Sequence, residues 1–353
     1  MTFVAKHWFL VGLVVLIPLA VFTGQAIDSA HSLHDLVDSL PTKWCTAAIL
    51  FFMSLTLNSG RLLAAVKAPF PVAIASGTNQ IVIPLLCLPL LLLPWSADIA
   101  VGLMIAASVP CTMAAASVWT RKAKGNDAVS LLVTLLTNGT CFLIAPTWLW
   151  VGHRWFGLTD TSDGLQFGDL VLRLILTAFL PALFGQVIRL HVSTRNRVDI
   201  HKAFFSTLAQ CIILTLVFVS AFRGGRQLTE NSLAGTSLTE NLRHTEFASA
   251  WLCCISLHLV AMWVAWQAAI KLKVSEADAR ACVIAGSQKT LPIGIVLADA
   301  SGMPFSILPM LMFHTSQLFI DTAIAAKLKT RPLDTPLLDT PPLDTPPLDT
   351  PPS

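Results

Sequence analysis

The chain has 353 residues, 54% of them hydrophobic and 12% charged, with a mean hydropathy of +0.70 and a formal net charge of +3. A soluble globule carries roughly twice that share of charge, so the composition excludes a soluble enzyme and requires a surface that faces lipid. The basic residues lie in short clusters between apolar runs rather than on one aromatic-laced face, which excludes nucleic acid as a partner.

Taken in chain order, apolar runs long enough to cross a bilayer core, about 20 residues each, lie at 8–26, 44–58, 71–94, 97–119, 128–151, 168–188, 204–222, 248–270, 276–298 and 303–326. They predict an all-α, polytopic membrane protein with ten transmembrane helices. The first run follows Lys6 but reaches Phe22 without a convincing cleavage site, so it is expected to stay as a helix. The eight cysteines all fall inside apolar stretches without metal-ligand or disulfide spacing and read as small core residues. From Pro332 the chain repeats Leu-Asp-Thr-Pro-Pro to Ser353, and so dense a proline pattern forbids a helix. The segment 330–353 is therefore expected to be a disordered cytoplasmic tail.

Lys and Arg counts set the orientation, because positively charged loops stay in the cytoplasm. The amino terminus, the even-numbered loops and the tail hold 16 of them and the odd-numbered loops 5. Both termini are expected on the cytoplasmic side of the inner membrane. Arg121, Lys122 and Lys124, then Arg189, Arg195, Arg197 and Lys202, are the strongest anchors; with Arg280 counted in the loop before span nine, Arg173 and Lys289 are left inside spans.

The runs divide into two five-span halves, 1–151 and 152–329, with matching spans offset by 160 residues. An odd number of spans per half inverts the second, and inverted repeats with interrupted helices are the usual architecture of secondary transporters. Each half has an interruption. In span four, Ser108-Val109-Pro110-Cys111-Thr112 puts a proline mid-span among small residues. In span nine, Gly286-Ser287-Gln288-Lys289-Thr290-Leu291-Pro292 sets four consecutive polar side chains between glycine and proline, too polar for lipid. Both segments leave carbonyls that need partners other than their own helix.

Phe51-Phe52-Met53-Ser54-Leu55-Thr56-Leu57, the Pro110 segment running into Lys124-Gly125-Asn126-Asp127-Ala128-Val129-Ser130, and Gly286-Ser287-Gln288 resemble the bile acid:sodium symporter family over residues 5 to 328. The resemblance is nearest to its sodium/bile-acid cotransporter-like branch, which carries Lys after the span-nine Gln. It implies a panel domain of spans one, two, six and seven, a core domain of the others, and broken helices that cross in spans four and nine. It also implies sodium-site positions: Ser130 and Thr134 stand where hydroxyl ligands of one site occur, Ser117 near an asparagine ligand, and Gln288 with Asn79 or Gln80 near glutamine ligands of a second. The family's shared glutamate, four residues before the span-nine glutamine, is Ile284 here.

Read from the residues themselves, a hard monovalent cation such as Na+ takes carbonyls, hydroxyls and amides. Ser117, Ser130, Thr134, Asn79, Gln80 and Gln288 are those candidates, and Ser130 and Thr134 share a helix face. No acidic residue stands mid-span; Asp321 lies near the cytoplasmic end of span ten. Lys289 lies about 20 Å into the membrane, at a cost on the order of 3 kcal/mol, so it should face a cavity with a partner. There it could replace a coupling cation, attract an anionic substrate, or carry a proton. His314 is expected to line the same cavity, with Ser287 and Thr290 beside Lys289, whereas Arg173 is shallow enough to reach the headgroups.

These features predict a secondary active transporter of a small organic anion, working by alternating access, coupled to Na+ or H+, and without a resident cofactor. The G-x-x-x-x-G-K-[ST] loop of an ATP-driven pump and the H-E-x-x-H helix of an intramembrane enzyme are absent. The alternative is a non-transporting membrane regulator of ion handling or envelope biosynthesis on the same scaffold. The expected partners are the bilayer, the anion and, left open, a second copy in a homodimer.

Overall fold

The computed structural model describes residues 8–26, 32–57, 69–113, 115–158, 166–233 and 244–330. The expected proline-rich tail and Lys6 lie outside them. Every regular element among the described residues is helical. In chain order these are α1 (Trp8–Ala26), α2 (Ser32–Ser39), α3 (Thr42–Leu55), α4 (Pro69–Leu92), α5 (Ala97–Ser108), α6 (Ala115–Lys122) and α7 (Asp127–Phe156). There follow α8 (Phe167–Leu190), α9 (Val192–Ile200), α10 (Lys202–Leu233), α11 (His244–Lys271), α12 (Glu276–Ser287), α13 (Leu291–Ser301) and α14 (Ile307–Thr330).

Among the described residues, seven helical stretches are long and apolar enough to cross a membrane, or eight if α2 and α3, bent by 54°, form one span. That is fewer than the ten runs read from the sequence, for a physical reason. The break in the fourth run divides it into α5 and α6, each too short to cross alone, while the first run forms α1, an apolar helix of 19 residues that carries Pro18. The ninth run passes as one stretch, Glu276–Ser301, although it too is divided into α12 and α13.

Large apolar side chains such as Leu85, Leu143, Leu176, Leu252 and Phe319 are exposed, while Asn79, Gln288, Lys289, Gln317 and Asp321 are wholly buried. This arrangement, oily outside and polar at the centre, suits a lipid solvent that cannot pair polar groups. The closest packing runs through two sets of helices, which also touch each other through α7 on α8 and α13 on α3. One is built by α1 against α10, and α3 against α8 and α10; in the other, α12 packs on α4, α7 and α11, and α14 on α5 and α11.

Small residues set the closest contact, as is usual between helices in lipid. A Cβ on Gly225 would stand 2.3 Å from the Val21 carbonyl oxygen, and one on Gly24 2.2 Å from that of Phe222, so α1 and α10 touch backbone to backbone. Gly225→Ala should therefore destabilise the protein by about 1–3 kcal/mol and lower the melting temperature in detergent. Gly224→Ala is the control, since its Cβ meets nothing nearer than a Phe305 ring atom at 3.6 Å. Equal melting of the two variants would contradict the close contact.

Candidate functional site: two helix breaks joined at Lys289

Both breaks expose a run of backbone carbonyls, and each carbonyl is satisfied from another part of the chain. After α5 the backbone turns extended at Val109. The Val109 oxygen accepts from Lys289 Nζ at 2.8 Å, that of Pro110 from the Thr290 amide at 2.9 Å, that of Cys111 from Asn138 Nδ2 at 2.9 Å, and that of Thr112 from Thr134 Oγ1 at 3.1 Å. After α12 the chain is extended at Gln288 and Thr290. There Asn79 Nδ2 donates to the carbonyls of Gln288 and Gly286, at 2.7 and 3.4 Å, His258 Nδ1 lies 3.1 Å from that of Ser287, and Gln317 Nε2 donates to that of Lys289 at 2.9 Å. Buried backbone groups must be paired, and here α4, α7, α11 and α14 each contribute a side chain to that end. The bond from Thr290 N–H to the Pro110 carbonyl joins one break directly to the other.

Lys289 is fully buried at this junction. Its amide donates to Gln317 Oε1 at 2.8 Å, and its second Nζ acceptor is the Asn79 carbonyl at 2.6 Å. That carbonyl is free for a local reason. Over Thr78–Val82 the helix widens by one residue, so the Ile83 amide bonds Thr78 rather than Asn79. The next residue in line for Asn79 is Pro84, which has no N–H.

Beside the lysine lies a second polar group. Gln288 Nε2 donates to Asp321 Oδ2 at 2.5 Å, Gln288 Oε1 accepts from Thr112 Oγ1 at 2.5 Å, and Asp321 Oδ1 is 3.0 Å from His258 Nε2. Asp321 and His258 are both fully buried. The Ser287 carbonyl can only accept, so His258 carries a proton on Nδ1.

Of the residues singled out in the sequence, Asn79, Pro110, Gln288, Lys289 and Thr290 meet here. Thr134 joins them through the Thr112 carbonyl, and His314 through Gln317 Nε2, 2.9 Å from its Nδ1. Ser287 Oγ instead bonds back to the Val283 carbonyl of its own helix at 2.9 Å. Gln80 fastens α4 to Thr137 O and Thr140 Oγ1 of α7, at 3.0 and 2.7 Å. Ser130 pairs with Thr120 at 2.6 Å, and Ser117 accepts from Arg121 at 2.8 Å.

Four expectations need correction. Arg173, expected to reach the headgroups, binds Asp299 at 2.8 Å because α13 brings that carboxylate alongside α8. Arg189, expected as a loop anchor, is buried and donates to the Leu55 carbonyl and to Asp199. Arg280, counted with the loop before span nine, is fully buried and donates to the Ala123 carbonyl. Asp321, read as peripheral, reaches the crossing because α14 continues to Thr330 and places it well inside the helix.

A cavity of about 340 Å³ opens between the two helix groups, lined among others by Thr56, Met113, Ser117, Arg121, Lys202 and Ser206. Its walls come from α3 and α10 on one side and from the first break with α6 and α7 on the other. The model of the SBF-like CPA transporter family matches residues 7–330. The chain belongs to that family. Membership makes it a membrane transporter by descent and not an enzyme, in line with the expected bile acid:sodium symporter resemblance. Among relatives of this SBF-like chain, a probable sodium/metabolite cotransporter of the chloroplast, BASS4 of Arabidopsis thaliana, is 27% identical over 90% of this chain and 73% of its own length. Sodium/bile acid cotransporter 7 of Danio rerio is 22% identical over 93% of this chain and 95% of its own. An uncharacterized sodium-dependent transporter of Bacillus subtilis, YocS, is 24% identical over 75% of each.

Proposed function

We propose that the protein is a secondary active transporter that moves a small organic anion, coupled to Na+ or H+, by alternating access around a mid-membrane site between the two broken helices. The observation that carries this reading is the joining of the breaks through Thr290 and Pro110, with Lys289 buried at the junction. A buried amine that only capped carbonyls would be an expensive way to do so. Placed where two interrupted helices meet, it supplies the positive field an anion needs. Ten spans in two inverted halves are the topology that suits this arrangement, with both termini in the cytoplasm.

For coupling, the carboxylate missing at Ile284 has a substitute in Asp321, which reaches Gln288 from α14. The buried Oδ1 of Asn79 has no hydrogen-bond partner, which leaves an acceptor beside Gln288 for a cation. The relatives named as sodium cotransporters favour Na+ as the coupling ion. Ser117, Ser130 and Thr134 offer further hydroxyls along the first break, Ser117 lining the cavity through which substrate would enter.

Counterflow in proteoliposomes tests the proposal. Vesicles preloaded with a panel of small carboxylates and sulfonates should take up the matching labelled anion, and a Na+ gradient or a pH gradient should drive accumulation. Absence of exchange for every anion, with folded protein in the vesicles, would favour the regulator reading.

A further inference from the structure

At the end of the molecule away from Lys202, five charged side chains form a chain across the two helix groups. Arg226 Nη1 binds Asp38 Oδ2 at 2.7 Å, Arg223 Nε binds Asp38 Oδ1 at 3.3 Å, Arg223 Nη1 reaches Asp299 Oδ1 at 3.4 Å, and Arg173 Nη2 binds Asp299 Oδ2 at 2.8 Å. Asp38 stands on α2, Arg223 and Arg226 on α10, Arg173 on α8, and Asp299 near the end of α13. Asp299 is thus a single carboxylate shared by two guanidinium groups, and it is the member that comes from the broken-helix group.

Three observations show that this is more than a surface salt bridge. The two pairs made by Asp299 are only partly exposed, between 20% and 30% for Arg173, Arg223 and Asp299, whereas Asp38 is 46% exposed. Arg173 Nε is buried with no hydrogen-bond partner, an unspent donor next to the carboxylate. A cavity of about 140 Å³ adjoins the Arg223–Asp299 pair, lined by Ser220, Arg223, Asp299, Gly302, Met303 and Ile307, and Arg173 reaches Asp299 from outside that lining. A guanidinium binds carboxylates and sulfonates through paired donors, and the space beside Arg223 suits the head of a small anion rather than a large one.

We propose that this cluster is an anion site in which Asp299 holds the place of the ligand: an incoming carboxylate or sulfonate takes Arg173 and Arg223 from Asp299, and α13 is then released from α8 and α10. In the state described, the cluster latches the end that the basic-residue count assigns to the outside, while the 340 Å³ cavity lies at the other end. Partly exposed ion pairs are individually weak, so an anion at millimolar concentration can compete with Asp299. The inference rests on the transporter reading for its purpose but not for its chemistry.

The test uses the full-length protein in proteoliposomes with Ser220→Cys as reporter, its reaction with N-ethylmaleimide read at that position by peptide mass spectrometry. At constant ionic strength, replacing chloride with methanesulfonate should raise the labelling rate at least twofold and saturate. Arg173→Gln should abolish that dependence, and Asp299→Asn should label about tenfold faster without added anion. Equal rates in chloride and methanesulfonate would overturn the anion site, and this arm needs no change in the cluster itself. An unchanged rate in Asp299→Asn would overturn the latch. Counterflow in the same vesicles separates the two readings: anion-dependent labelling without exchange keeps the site and removes transport, and exchange without anion-dependent labelling does the reverse.

Discussion

Lys289→Met should leave a folded protein that no longer transports. The substitution takes the donor from the Val109 and Asn79 carbonyls, and an unsatisfied buried acceptor costs about 1–3 kcal/mol. Against that, it removes an ammonium whose burial costs several kcal/mol. The two terms are of similar size and opposite sign, so the melting temperature in detergent should stay within a few degrees of the parent. Anion exchange, by contrast, loses the lysine placed at the junction of the breaks and should fall at least 100-fold. Lys289→Arg should not rescue it, because the larger planar group has no room at a fully buried position. Exchange within twofold of the parent, at equal protein per vesicle, would remove Lys289 from the mechanism.

Asp321→Asn should separate stability from coupling. Asparagine keeps the shape: its oxygen can accept from Gln288 Nε2, and its amide can donate to a neutral His258 that still donates from Nδ1 to the Ser287 carbonyl. Melting should therefore change little. Asp321→Ala leaves His258 and Gln288 without their partner and should cost about 3–5 kcal/mol. What Asn cannot do is change charge when a cation arrives. Under the proposed function, Asp321→Asn should retain anion counterflow and lose at least tenfold in accumulation driven by a Na+ or pH gradient. A variant that accumulates anion as the parent does would show that Asp321 only braces the crossing.

Both residues bear on how far the chain could be read without coordinates. The breaks were legible because proline and glycine in the middle of an apolar run leave few alternatives, and Lys289 was legible because a charge that deep needs an internal partner. Asp321 was missed because depth along a sequence is measured from an assumed end, and α14 runs to Thr330, farther than the apolar run. Arg280 and Arg189 were misplaced for the same reason: basic residues near helix ends count as loops until the carbonyls they bind, from Ala123 and Leu55, are known. The widened turn at Thr78–Val82 carries a signal in hindsight, since Pro84 deprives the preceding turn of a donor. Which carbonyl is freed, and which distant side chain takes it, depends on tertiary contacts that no local pattern encodes.

Lys202 and Arg223 stand on one helix, α10, with about 32 Å of axial rise between them. The first borders the larger cavity and the second the Asp299 cluster. Under the proposed function a tilt of that rod would act on both mouths at once, and its backbone contacts with α1, at Phe222 and Gly225, hold it at the Arg223 end. Under the proposed mechanism, leakage is thus opposed by stiffness itself, and a helix breaker placed midway along α10 should uncouple the two mouths even though it touches neither.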